Sequence, residues 1–112
     1  MHADSWALKA KKLGFRSRAV FKLEEILIKT KALKNNSFVL DIGSAPGGWS
    51  ELIKGMTPSS SVYAIDLLPM DPINGVMFFQ EDIINIDEIK EIFLLKSKFN
   101  LVISDLAPNL TG

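Results

Sequence analysis

With 112 residues, 47% of them hydrophobic and 23% charged, the chain has the composition of a single soluble globular domain, and no run of about 18 apolar residues is present to cross a membrane. It has no cysteine, which excludes disulfide frameworks, cysteine metal sites and thiol catalysis, and its one histidine, His2, leaves histidine-ligated metal and Ser-His chemistry without support. The net charge of zero hides an asymmetry: residues 1–34 carry nine basic and three acidic side chains, a balance of +6, and residues 35–112 carry four basic and ten acidic, a balance of −6. A basic arm ahead of an acidic body suits a polyanion such as RNA, whose counterions it would release, or it is simply a solvated helix face. The arm is also basic and acid-poor in the manner of a transit peptide, although no apolar core of a secretory signal follows its first charges.

In chain order, a basic helix or arm is predicted over about residues 5–13 and a second helix from about Ser17 to Leu33, separated by Gly14. Trp6 and Phe15 interleave with the basic residues, which permits either base stacking or packing onto a sheet. Strands are predicted at about 38–42, 62–66, 76–79 and 100–104. After the first of them, Trp49, Leu52, Ile53 and Met56 recur at i, i+3, i+4 and i+7, the spacing of an amphipathic helix. Between the third and fourth, Asn85-Ile86-Asp87-Glu88 reads as an N-cap with a glutamate three residues on, and Ile86, Ile89 and Phe93 would form the buried face of the helix. Strands alternating with helices indicate an α/β domain with an open parallel sheet.

The densest signal is Asp41-Ile42-Gly43-Ser44-Ala45-Pro46-Gly47-Gly48-Trp49-Ser50, where an apolar strand passes through glycines into the amphipathic helix. Glycines at such a turn allow positive φ and close approach of the backbone to a ligand. The spacing from Gly43 to Ser50 is that of a P-loop, but Trp49 stands where the phosphate-clamping lysine must be, which argues against triphosphate hydrolysis. Ser44-Ala45-Pro46 separate Gly43 from Gly47, so the dinucleotide fingerprint is absent as well. What remains is a nucleoside ligand without phosphates, of which S-adenosylmethionine is the commonest, or a plain glycine-rich turn. Trp49 belongs to the core or packs on a ligand in addition, and Asp41 either contacts that ligand or caps the loop.

Three of the four strands deliver a carboxylate at or beside their carboxyl end, the edge where open parallel sheets bind ligands. Asp66 lies about two dozen residues past Gly43, where an acid accepts both ribose hydroxyls of a nucleoside. Asp82 would accept an adenine amino group or, as its position in a turn favours, act as a cap. Leu67-Leu68-Pro69-Met70-Asp71-Pro72 is a stiff loop that lines an adenine pocket or fixes the path of a surface turn. Lys22, beside Leu23, Ile26 and Leu27 on its helix, reads on its own as a solvated or snorkelling side chain.

Ser104-Asp105-Leu106-Ala107-Pro108-Asn109 closes the fourth strand. Together with Ser17-Arg18-Ala19-Val20-Phe21-Lys22-Leu23, Asp41 to Ser50, and Asp66 to Pro72, it makes the chain resemble the FtsJ-like (RrmJ-type) ribosomal RNA 2′-O-methyltransferases over nearly its whole length. The resemblance implies a Rossmann-like methyltransferase fold and S-adenosylmethionine-dependent methylation of a uridine ribose in large-subunit ribosomal RNA. It implies cofactor contacts at Gly47, Trp49, Asp66, Asp82 and Asp105, and catalytic roles for Lys22, as the first lysine of a Lys-Asp-Lys-Glu set, and for Asp105. It further implies a monomer that needs neither metal nor membrane, with ribosomal RNA, within the large ribosomal subunit, as partner, in the cytoplasm or alternatively in a mitochondrion or other organelle.

The same resemblance leads us to expect that residues 1–112 form the amino-terminal part of one domain: 1–34 a basic arm bearing the first catalytic lysine, and 35–112 the cofactor-binding half of a sheet truncated after its fourth strand. The family's second lysine and its glutamate would lie beyond Gly112. A chain of this extent is expected to be inactive alone, or to serve as a fragment that only binds cofactor or RNA. Ending at the fourth strand would leave it an unpaired edge.

Overall fold

The computed structural model describes residues 20–104, with side chains from residue 22 onward. These residues form helix α1 (Val20–Thr30), strand β1 (Phe38–Ile42), helix α2 (Gly48–Met56), strands β2 (Ser61–Asp66) and β3 (Val76–Gln80), a 3-10 segment (Ile83–Glu88), the short helix α3 (Lys90–Leu94) and strand β4 (Leu101–Ser104). The four strands are parallel and ordered β3-β2-β1-β4. The chain therefore builds outward from β1 to β3 and then crosses back to the other side of β1. That reversal creates a switch point between β1 and β4, where open α/β sheets bind ligands at their carboxyl ends. The strands agree with the expected ones to within a residue at each end; the arm expected over residues 5–13 lies outside the described residues.

Alternation along the strands places Val39, Val62 and Ile103 on one sheet face, against Leu23 and Leu27 of α1 and Leu52 and Ile53 of α2. Leu23 and Leu27 are four residues apart and so share a helical face, whereas Ile26 and Ile28 are exposed. On the opposite sheet face Tyr63 meets Phe99 edge to face, with ring centroids 5.8 Å apart and planes at 84°.

Two helices depart from expectation. α1 ends at Thr30 instead of Leu33: the Thr30 hydroxyl donates to the Ile26 carbonyl (2.8 Å) and accepts from the Ala32 N–H (3.3 Å), and Lys31 enters the left-handed region at φ 55°. Ala32 and Leu33 thereby leave the helix and pack against the core. The helix expected to start at Asn85 is instead a 3-10 segment capped by Asp82, followed by the five residues of α3, whose cap Ile89 makes no side-chain bond. Non-helical Asn85 (φ −100°, ψ 15°) breaks the periodicity assumed for that buried face. Ile92 is consequently the buried residue of α3, while Phe93 is 50% exposed and Ile86 and Ile89 are only partly covered.

The amino edge of the sheet is tied to α2 through Lys54, whose ammonium donates to the carbonyls of Pro58 (2.8 Å) and Ser60 (2.6 Å). Gly75 sits against this lysine with φ +83°, and a Cβ there would lie 2.7 Å from Lys54 Cε. Gly75→Ala is expected to reduce the unfolding free energy by about 1 kcal/mol, since alanine is strained in this conformation and Lys54 has to shift. Urea denaturation checks this, and an unchanged midpoint would contradict it.

Candidate functional site

The loop after β1 is held in place from β2. The N–H groups of Gly43 and Ser44 both donate to the Ile65 carbonyl (2.8 and 3.2 Å), so the chain folds over the end of the neighbouring strand. Gly43 (φ 75°) and Gly47 (φ 112°) supply the left-handed conformations that this path demands. Gly47 is the N-cap of α2 and offers no side chain to it, so the first turn of the helix faces the loop as backbone. Gly48 follows, buried, as the first residue of α2.

Asp66, the last residue of β2, joins this loop through its side chain. Its Oδ2 accepts from the Ala45 N–H (2.8 Å) and its Oδ1 from the Leu68 N–H (3.0 Å). Each carboxylate oxygen has two lone pairs, so both keep acceptor capacity for a ribose diol. Leu67 and Leu68, just beyond, are exposed beside the loop.

Asp41 is fully buried, and its Oδ2 accepts from the Ser50 hydroxyl at 2.6 Å. This bond closes a ring from the end of β1 through the loop to the first turn of α2, and it places Asp41 as a support of the loop. Ser50→Ala would deprive a buried carboxyl of this donor, and we expect it to lower stability by about 2 kcal/mol. Chemical denaturation measures it; a variant as stable as the parent would show that α2 is held without this bond.

Trp49 is partly buried and both packs against the core and borders a recess formed with Asp41, Gly43, Ser44, Ala45, Pro46 and Gly48. The recess measures only about 10 Å3, room for one small polar group. A larger open depression of about 600 Å3, bordered by Lys54, Ser60, Val62, Gly75, Val76 and Phe78, is at the amino ends of β2 and β3. It stands away from the glycine loop and the Asp66 carboxylate, whose polar groups make the carboxyl edge the candidate site.

The site residues named from sequence are thus partly assembled. Gly47 and Trp49 stand at the junction of the loop and α2, Asp66 is bonded to the same loop at Ala45, and Asp82 is one strand further out. The Asp82 side chain accepts from the Ile84 N–H at 3.1 Å, which is the capping role its turn position favoured. Lys22 is exposed on α1. Asp105 lies outside the described residues. Ser50 as partner of Asp41, and the Ala45 amide as partner of Asp66, were not read from the sequence. The sole hint was a serine on the otherwise apolar side of α2.

A parallel sheet with a glycine loop at its switch point, and an acid from the next strand bonded to that loop, defines a Rossmann-like α/β domain. The FtsJ-like methyltransferase profile matches residues 15–112, and the chain belongs to that family. It is 46% identical over 98% of its length to the ribosomal RNA large subunit methyltransferase E of Francisella tularensis subsp. novicida, and 44% identical over the same share to that of Francisella philomiragia. It spans 55% of the length of each. A crystal structure of a ribosomal RNA methyltransferase from Plasmodium falciparum superposes with a TM-score of 0.73 at 37% identity, over 83% of this chain and 57% of that one.

Proposed function

We propose that this chain supplies the cofactor-binding part of an S-adenosylmethionine-dependent ribosomal RNA methyltransferase that acts on the ribose 2′-hydroxyl of a uridine in the large-subunit RNA. The observation that carries the reading is the bond from the Ala45 N–H to Asp66 Oδ2, which joins a ribose-accepting acid to the glycine loop. When bound, S-adenosylmethionine supplies an electrophilic methyl group on a positively charged sulfur. Asp66 accepts from the ribose hydroxyls, Gly47 lets the backbone approach, Trp49 walls the site, and Asp82 takes the adenine amino group through the acceptor capacity left beside its capping bond. Lys22 and Asp105 orient the attacking hydroxyl and balance its charge. Alignment of a weak oxygen nucleophile with the methyl group is the main contribution such residues can make. A monomer working on RNA in the cytoplasm, or in an organelle, is consistent with this reading. The chain spans about half the length of its relatives, and the transfer reaction is proposed for a polypeptide of their length.

Calorimetry tests the cofactor: S-adenosylmethionine is expected to bind, and ATP and NAD are not. A folded chain that binds no S-adenosylmethionine would remove the assignment. For the reaction, a polypeptide of the relatives' length containing this chain is given methyl-labelled cofactor and large-subunit RNA. The label is expected in a dinucleotide resistant to alkaline cleavage, since a 2′-O-methyl group blocks attack on the neighbouring phosphate. Label on a base would overturn the 2′-O assignment.

A further inference from the structure

The depression at the amino ends of β2 and β3 has its origin in how those strands are joined. Parallel neighbours need a crossover connection, which is usually an α-helix packed on the sheet. Residues 67–75 make the crossover without a helix, so this connection lays no helix over the two strands it joins. An open space of about 600 Å3 results, the size of a small-molecule pocket, with Val62, Val76 and Phe78 on its border. Gly75 stands at its rim, where the lack of a Cβ leaves room for Lys54.

Two polar groups adjoin this apolar border. The Lys54 ammonium has three N–H donors, of which the carbonyls of Pro58 and Ser60 take two. Among the described residues no carboxylate pairs with it, so a full positive charge stands at the depression with one donor left. Ser60 also borders the depression; it is 2% exposed, and its hydroxyl makes no hydrogen bond. Buried polar atoms are nearly always paired, and this one can change rotamer toward an incoming partner with no bond to break.

We infer that this depression binds a small organic anion, a carboxylate on an apolar body. The carboxylate accepts from Lys54 Nζ and Ser60 Oγ, and the body lies against Val76 and Phe78, which are only partly buried. The surrounding charge favours a single anion over a polyanion. Residues 35–112 carry four basic and ten acidic side chains, a field that repels a run of phosphates and leaves Lys54 to attract one acid group at contact range. The site is at the opposite ends of the strands from the glycine loop and Asp66, so it stands or falls apart from the cofactor reading.

The test titrates octanoate and 1-octanol, which share a chain and differ in charge, into the isotope-labelled 112-residue chain and follows the amide shifts. Octanoate is expected to shift the Lys54, Ser60, Gly75 and Val76 amides saturably and to bind about tenfold more tightly than octanol, the scale of a hydrogen bond to a charged group. Lys54→Met, which keeps the apolar stem, is expected to abolish that difference. Ser60→Ala is expected to weaken octanoate about threefold and leave octanol unchanged, with a thermal midpoint equal to or above the parent's because an unpaired buried hydroxyl is removed. Lys54→Met also gives up the bonds to Pro58 and Ser60, and the octanoate–octanol comparison on the parent covers the case in which that variant does not fold. Equal affinity for octanoate and octanol, or shifts confined to other amides, would overturn the proposal. Uridine 5′-monophosphate is the phosphate arm: tighter binding than octanoate at the same amides would give the depression to a nucleotide and overturn it as well. S-adenosylmethionine enters no arm, so none of these results bears on the cofactor reading.

Discussion

Asp66→Ala is expected to weaken S-adenosylmethionine binding by about 100-fold or more, the effect of losing two hydrogen bonds to a charged group. The substitution acts twice. It removes the acceptor proposed for the ribose diol, and it strips the Ala45 and Leu68 amides of the oxygens they bond at 2.8 and 3.0 Å. The Ala45 amide is part-buried, so stability should fall too, by about 1–2 kcal/mol. Asp66→Asn separates the two effects. Its one carbonyl oxygen can keep the Ala45 bond, so the asparagine variant should retain most of the stability while losing about tenfold in affinity. Calorimetry and urea denaturation on the three proteins resolve the pattern. If the alanine variant binds as the parent does, Asp66 does not hold the ribose and the loop would have to bind its ligand by other contacts.

Ile53→Ala carries the largest expected effect on stability. Ile53 is 0% exposed and lies at the centre of the cluster that docks α2 on the sheet, beside Leu52 and opposite Val39 and Val62. Truncating a fully buried isoleucine forfeits its transfer free energy and leaves a cavity, together about 3–4 kcal/mol. A domain of this size has about 5–15 kcal/mol in hand, so much of its stability would be lost. The loss should reach the site as well, since α2 presents Trp49 and Ser50 and its N-cap is Gly47. The denaturation midpoint measures the first effect and S-adenosylmethionine affinity the second. A loss below about 1 kcal/mol would mean that α2 repacks into the gap.

The strands were legible because each is a short run of apolar residues bounded by turn formers, and three of them end at or beside an acid. The α2 helix was legible from the 3.6-residue spacing of Leu52 and Ile53 with Trp49. Failures came where a side chain overrode periodicity. Thr30 bonds the backbone on both sides of itself and stops α1 early, and Asp82 captures the Ile84 amide and turns an expected helix into a 3-10 segment. Both acts are local hydrogen bonds that compete with helix formation, and apolar spacing does not report them.

At the site, sequence alone determined the residue types and their order: a glycine loop without a phosphate-clamping lysine, then an acid at the end of the following strand. That information is local, because positive φ at Gly43 and Gly47 and a carboxylate after an apolar run are properties of short segments. Tertiary structure decided which groups meet. The order β3-β2-β1-β4 puts Asp66 beside Ala45, 21 residues earlier, and the packing of α2 on the sheet brings Ser50 to Asp41. It also left the Ser44 hydroxyl buried and without a partner. Hydrogen bonds between segments depend on strand order and helix docking, which are set by burial of the whole apolar face and not by any stretch of it.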